Sequence, residues 1–457
     1  MKILATALLL GVTGDLLLRA MPLGINVFLW TVLLLAGVAY ITRDLRSMLF
    51  GGLGALVVSA GIAWRDSHPL SALDFLLLLV FYAFLCFRAR GVRVWATGIL
   101  AAAAALVMSA LLSATGVFQL IFSDLKWREM QPGAAVRRTL TVLRGALIAL
   151  PLLLIFFALL TSADPAFASI MTNLFNIDVA EFIGHVLFTL FIAVPVAGYL
   201  HSLITPRDLP HVERPSWFHL AAAETNIAIG LIDVLFAAFV AVQIRYFFGG
   251  AALVEVAPHL TYADYARRGF FELVAVAALV IPMLLVAEWL IESAGRKTFR
   301  VLALAQVLLV FVILVSAYRR MQLYVDNFGL TQLRFYTTAF MFLLGALLAW
   351  LVATVLTGRR AQFFIGAVAS GLIVVIVLHA INPDALIVRT NLAHKRALDA
   401  DYLSTLSADA DPELVAAHLP CTKWQRRRAM ADWRSWNYSR AEADEVCTAA
   451  GLNPGRR

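Results

Sequence analysis

Apolar stretches of similar length, separated by short polar breaks, fill the first 381 positions of the chain. A helix needs about 20 consecutive, mostly apolar residues to cross the ~30 Å hydrocarbon core of a bilayer. Such stretches fall at 3–18, 23–41, 48–64, 70–87, 94–115, 142–160, 182–204, 226–247, 270–291, 300–317, 335–356 and 362–381. Those at 3–18, 48–64 and 300–317 are short. The pattern predicts an all-α fold, a polytopic transmembrane helix bundle of about 11–13 spans. The first run reads as a retained helix and not a cleaved leader, because Asp15 and Arg19 close it and no small-x-small site follows. After Ile381 the apolar runs stop. The tail over 382–457 is predicted to be soluble and helical, punctuated by Pro383, Pro412, Pro420 and Pro454. Leu403, Leu406, Leu414 and Val415 have the spacing of small helices packing on each other. The chain thus divides into an N-terminal membrane group (1–122), a core transmembrane bundle (123–381) and the tail (382–457).

Composition sharpens this picture. Hydrophobic residues make up 61% of the chain and charged residues 14%, against about 25% charged in soluble domains. A soluble domain of this size cannot hide so much apolar surface. The net charge of +8 comes from basic residues dispersed between apolar runs, the signature of cytoplasmic loops and not of nucleic-acid binding. Membrane lipids are the expected partners, and nucleic acid is not one.

Lysine and arginine in short loops set orientation. The loops carrying Lys126, Arg128, Arg137 and Arg138, then Arg207 and Arg214, then Arg296, Lys297 and Arg300, then Arg359 and Arg360, are expected to be cytoplasmic. The loop over 161–181 has acids and no base, and is expected outside with the loops over 248–269 and 318–334 and the tail. Lys2, Arg43, Arg46, Arg88, Arg90 and Arg93 also demand the cytoplasm. Both sets are satisfied only if 94–122 returns to the side it left, as a re-entrant hairpin, or if one earlier segment does not span.

Signatures of soluble enzymes are missing: there is no P-loop, His-Glu-x-x-His, Cys-x-x-Cys or Gly-x-Ser-x-Gly. No metal or cofactor is expected. What stands out is charge in and beside the membrane, which is costly. Arg245, Arg267 and Arg268 gather around one external connection with Asp264 and Glu272, and Arg319, Arg320 and Arg334 around the next, interleaved with tyrosines. External loops normally avoid arginine. Guanidinium forks bind carboxylate or phosphate through paired hydrogen bonds, so these six arginines are candidates to hold an anionic group such as a lipid phosphate or pyrophosphate. Snorkelling to headgroups, or pairing with Asp264, Glu272 and Asp326, is the structural alternative. Asp164 and Asp264 are the candidate acid or base if chemistry occurs. Asp15, Asp74, Arg144, His185, Asp233, Glu288 and His379 fall within spans. Of these, Asp233, His185 and Arg144 would line a polar path in a transporter. Cys86 is a buried filler. Cys421 and Cys447 pair if the tail faces an oxidising space and are otherwise two free thiols.

The segments Ser162–Phe167, Gln243–Gly250, Tyr265–Phe270, Gly329–Thr331, Asn391-Leu392, Asp401–Leu403 and Leu406–Ala410 together resemble a bacterial membrane-protein group, domain of unknown function 4173, with the related 4153 group. The resemblance covers roughly 140–415. It implies an inner-membrane protein and supplies no catalytic residues. Three functions are open at this point. One is binding or transfer of an anionic, lipid-linked envelope component at the external face. The others are transport through the spans, and a sensor or assembly scaffold working through the tail.

Overall fold

In the computed structural model, residues 1–89, 99–124, 134–164, 167, 179–205, 222–248, 270–291, 295–393, 399–422 and 432–451 are described. They build an all-α protein with no strand among them. Twelve helices form the bundle: α1 (Lys2–Leu18), α2 (Ile25–Thr42), α3 (Leu45–Trp64), α4 (His68–Ala89), α5 (Ile99–Gln119), α6 (Ala134–Ala163), α7 (Val179–Ile204), α8 (Ala222–Phe248), α9 (Phe270–Leu290), α10 (Arg296–Phe328), α11 (Gln332–Leu351) and α12 (Phe363–Ile381). Among the described residues, nine of the chain's helices are long and apolar enough to cross a membrane, and Met48–Trp64 is a shorter apolar helix. The tail adds α13 (Pro383–Ala393), α14 (Ala400–Leu403), α15 (Asp411–Ala416) and α16 (Tyr438–Ala449).

The helices are apolar all round. Leu231, Val234 and Leu235 of α8, for example, are 66–67% exposed, as expected where lipid is the solvent. With no hydrophobic drive between helices in lipid, close approach of small residues takes over. A Cβ on Gly198 of α7 would fall inside the contact radius of the Ser113 carbonyl of α5, and one on Gly116 of α5 would meet the Gly198 carbonyl at 2.9 Å. The two backbones can touch only because both positions are glycine. On its other side α7 packs along α1, where Gly11 faces Thr189 and Ala193. The N-terminal helices and the core bundle therefore share one packed body.

Two expectations need correction. Residues 99–124 form one helix that ends in a π-helical turn at Leu120–Asp124, not a re-entrant hairpin. Val117 and Leu120 at its end share a cluster with Ile3, Met48, Leu85 and Leu203. That places the end of α5 on the face where α4 and α7 also end. Residues 90–98, which join α4 to α5, lie outside the described set. Second, the stretch over 318–328 is not a loop. α10 continues through Tyr318-Arg319-Arg320 to Phe328 and stops at Gly329, whose φ of +76° favours glycine. At 1.5 Å per residue this helix is about 50 Å long, roughly 20 Å more than the hydrocarbon core. Polar residues ended the apolar run without ending the helix.

The chain thereby sorts its ends onto two faces. Lys2, Arg43, Arg46, Arg296, Arg359 and Arg360 sit at helix ends on one face, where Arg360 meets Glu288 at 2.6 Å and Arg300 approaches Gly358. The tail covers the opposite face. Gly198→Ala should lower the thermal stability of the detergent-solubilised protein by an overpacking cost of about 1–3 kcal/mol. Gly230→Ala, where a Cβ would meet nothing within 4 Å, should leave the unfolding temperature unchanged or slightly raised.

Candidate functional site

The tail is seated by carboxylates pulled out of water. α3 ends in Trp64-Arg65-Asp66, and the turn before α15 carries Ser407-Ala408-Asp409-Ala410. Asp409 accepts the Asp66 backbone N–H at 2.8 Å, the Ser407 hydroxyl at 3.1 Å and the Ser439 hydroxyl, with Arg65 at 3.5 Å. Asp66 in turn accepts from Arg440 Nε at 2.7 Å, and Arg440 also donates to the Ser435 and Leu23 carbonyls. Asp384, at the start of α13, accepts from Gln332 at 2.8 Å and from the backbone and hydroxyl of Ser407. Asp384 is fully buried, Asp409 is 2% exposed and Asp66 8%. Asp409 and Asp66 thus each meet one guanidinium group, and Asp384 meets only neutral donors. Burial pushes the Asp66 carboxyl above its usual range although Arg440 pulls it down. It pushes Asp384 up as well, since only the neutral donors Ser407 and Gln332 oppose it.

The corner between α10 and α11 locks to the same tail. Asn391 accepts the Leu330 N–H at 2.7 Å and donates to the Leu330 carbonyl at 2.9 Å. Any side chain at Gly329 would collide with Asn391 Oδ1. The Tyr402 hydroxyl accepts from Gln332 N at 2.8 Å. Residues 329–331, 391, 401–403 and 406–410, singled out above as motifs, therefore form one docking surface. Cys421 and Cys447 are joined in a disulfide, with Cα atoms 6.4 Å apart. Trp433, Trp436 and Tyr438 are exposed beside Gly24, whose neighbour Ile25 donates to the Trp436 carbonyl. That is the headgroup level, which suits amphipathic aromatic rings.

The arginine rim lies on the tail face, at the end of α10. Arg320 donates to Gln243 Oε1 of α8 at 3.1 Å, and Ser316 to the same oxygen at 2.9 Å. Arg319 is exposed. Arg334 caps α10 by donating to the carbonyls of Phe328 and Gly329, and its guanidinium lies 4.0 Å above the Tyr324 ring. Arg267, Arg268 and Asp264 lie outside the described residues. So do the side chains of Arg245 on α8 and Arg144 on α6. Asp164 is exposed at the end of α6.

Deeper in the bundle the acids find bases. Asp15 of α1 meets His185 of α7. Asp74 of α4 lies 3.4 Å from His379 of α12, which also approaches the Val375 carbonyl at 2.9 Å. Gly61 must be glycine because the His379 ring occupies the place of a Cβ. A cavity of about 190 Å³ opens beside this histidine, walled by Trp64, Leu372 and Val375 among other apolar groups. Asp233 of α8 has no such partner.

Residues 52–417 match the family described as Domain of unknown function (DUF4153). The chain belongs to this family. Neither the curated proteins nor the solved structures contain a match to it. The DUF4153 match begins inside α3 and ends just after α15, so it takes in Asp66, Asp384 and Asp409 but not Arg440. The two segments beyond it, 1–51 and 418–457, bind each other: Arg440 to Leu23, Arg434 to Leu16, and Ile25 to Trp436. This multi-pass DUF4153 protein thus surrounds the family's helices with a first helix pair and a tail end that are mutually dependent.

Arg65, Asp66, Asp384 and Arg440 were not singled out as site residues from sequence. Their partners lie up to 374 positions away, and no local spacing marks them. Asp409→Ala would leave the Asp66 N–H without its acceptor and Arg65 with only the His379 carbonyl in place of a carboxylate. It should cost about 3–5 kcal/mol, read as faster proteolysis of the tail in the folded, membrane-bound protein. Raised carboxyls favour the docked state most below the ordinary carboxylate pKa, and this contribution is lost as pH rises through the folded values. Tail protection should therefore weaken towards alkaline pH. Asp384→Asn should flatten that dependence.

Proposed function

We propose that this protein resides in a bacterial inner membrane with its tail on the periplasmic side. There it binds an anionic envelope component, a lipid-linked phosphate or pyrophosphate, at the rim formed by the end of α10. Two features support the orientation. The basic helix ends collect on the face opposite the tail, as cytoplasmic ends do. The tail's disulfide suits an oxidising compartment.

The observation that carries the binding reading is the company the rim arginines keep. Arg319 is exposed, with no carboxylate paired to it among the described residues, and Arg334 meets two neutral carbonyls and an aromatic face. A chain that only needed to lock its loops would have met these cations with Asp or Glu. Here positive charge is held at the headgroup level and left to be met from outside the chain. Tyr318 and Tyr324 flank it. Arg320, held by Gln243, and Arg245, Arg267 and Arg268 are assigned to the same anion. Asp164 or Asp264 would act as acid or base if the bound group is transferred. The transport reading rests on a separate feature, the buried Asp233 on α8.

In protein purified with its native lipids, Arg319→Ala should lower the occupancy of bound anionic lipid about tenfold, the worth of one charge-assisted hydrogen bond of about 1.5–3 kcal/mol. Native mass spectrometry reads this directly. Folded yield and bound zwitterionic lipid should not change. Normal yield with unchanged anionic lipid removes the binding reading. An impermeant thiol reagent applied to intact cells after mild reduction should label Cys421 and Cys447, and failure to do so would move the rim to the cytoplasm.

A further inference from the structure

α8 and α10 run side by side in parallel, pinned at both ends. Near one face Asn226 donates to the Gly295 carbonyl at 3.2 Å, and near the other Ser316 and Arg320 donate to Gln243. The buried stripe of α8 reads Thr225, Ile229, Asp233, Val240, Gln243, at helical spacing, and its other faces carry exposed Leu and Val. Asp233 therefore sits on the face packed against α10. It precedes Gln243 by ten residues, and on α10 Gln306 precedes Ser316 by ten. In parallel helices pinned at these pairs, Asp233 and Gln306 come level, midway along the seam. Asp233 is 8% exposed and Gln306 fully buried. Both carboxylate oxygens of Asp233 and both amide atoms of Gln306 lack a hydrogen-bond partner.

Leaving four polar atoms unbonded at this depth is costly; among the described residues each other deep acid has a base beside it, although both oxygens of Asp74 also lack a hydrogen bond. Asp15 has His185, Asp74 has His379, and Glu288 has Arg360. The charged groups on the described elements around Asp233 all lie towards helix ends. They are Glu224 and Arg245 on α8, Arg296, Lys297, Arg300, Arg319, Arg320 and Asp326 on α10, Glu272 and Glu288 on α9, and Arg334 on α11. The nearest to Gln306 along its own helix, Arg300, is six residues away, about 9 Å along the axis. Among the described residues no fixed cation stands beside Asp233 to compensate its ionised form.

The donor set decides what can. One carboxyl and one amide offer three oxygens, too few for a hard metal ion that takes about six or more. Helices α8, α9, α10 and α11 carry no histidine or cysteine to hold a transition metal there. A proton fits. A carboxylic acid presents one O–H donor and one carbonyl acceptor, complementary to the acceptor and donors of a glutamine amide. The carboxylate is acceptor-only and leaves Gln306 Oε1 with nothing to receive.

We infer that Asp233, backed by Gln306, is an exchangeable proton-binding site in the middle of the membrane, between α8 and α10. The polar groups at the two ends of the seam, Asn226 with Thr225 and Gln243 with Ser316, mark where the proton enters and leaves. Ile229 on one side and Val240 on the other separate the site from both ends, so exchange requires the two helices to part transiently. The site uses no arginine of the rim, and it stands or falls independently of anion binding there.

The test uses the full-length protein in lipid nanodiscs and dicyclohexylcarbodiimide, an apolar reagent that adds to protonated carboxyl groups. The acid O–H adds across one N=C bond, and the acyl group then migrates to nitrogen to leave a stable N-acylurea, with no co-reactant. Peptide mapping by mass spectrometry should find Asp233 labelled. The label should fall about tenfold per pH unit above its midpoint and be indifferent to added sodium or potassium. Gln306→Leu should shift that midpoint while the protein still elutes as a folded species, and Asp233→Asn should abolish the label without loss of yield. An Asp233 that stays unlabelled at every pH in folded protein, or whose labelling ignores pH, overturns the proposal. Protection by sodium overturns it in favour of a metal cation.

Discussion

A carboxylate taken out of water must find a partner, and the architecture of this protein follows from how each acid solves that problem. At the tail face three carboxylates are buried together: Asp409 meets Arg65, Asp66 meets Arg440, and Asp384 is held by Gln332 and Ser407, while Ser407 and Ser439 also donate to Asp409. Removing any one member would strand the others in a low-dielectric setting, so the junction holds or fails as a unit. It joins the ends of α3 and α12 and the start of α11 to the tail, segments that hydrophobic packing in lipid has no means of selecting. The tail is therefore part of the membrane body and not an appendage to it.

The same junction ties together 1–51 and 418–457, the segments outside the DUF4153 match. Arg440 reaches from α16 to Asp66 inside the match and to Leu23 outside it. Arg434 and Trp436 contact the α1–α2 connection. Neither segment would satisfy its buried backbone groups without the other, and an unpaired backbone group away from water costs about as much as a lost hydrogen bond. The disulfide between Cys421 and Cys447 closes this added piece upon itself.

Two kinds of polar site remain after the structural pairs are set aside. On the tail-side rim Arg319 is exposed and Arg334 meets carbonyls and a ring. Within the span one carboxyl, Asp233, and one amide, Gln306, are buried without hydrogen bonds. The first faces outward, and the proposed anion would bind there. The second is closed off by apolar residues above and below, and suits a small species that comes and goes. They lie at the two heights of one helix pair: Gln243 and Arg320 belong to the rim end of the seam, and Asp233 and Gln306 to its middle.

Hydropathy by itself located nearly every spanning helix and the boundary at Ile381, because bilayer thickness imposes one length on every crossing. It misread the end of α10, because Tyr318-Arg319-Arg320 interrupts an apolar run while Gly329, eleven residues past Tyr318, is what stops the helix. Composition also marked Asp15, Asp74, His185, Asp233, Glu288 and His379 as costly residues. Which of them pair was not readable, since Glu288 and Arg360 stand 72 positions apart, Asp15 and His185 170, and Asp74 and His379 305. The motifs at 329–331, 391 and 401–410 were visible as unusual strings, and only folding revealed that they dock one surface on another. Local chemistry and bilayer length are written along the chain one helix at a time. Whether a buried charge is satisfied depends on a neighbour that the tertiary structure brings from elsewhere in the chain, and that alone separated the structural acids from Asp233.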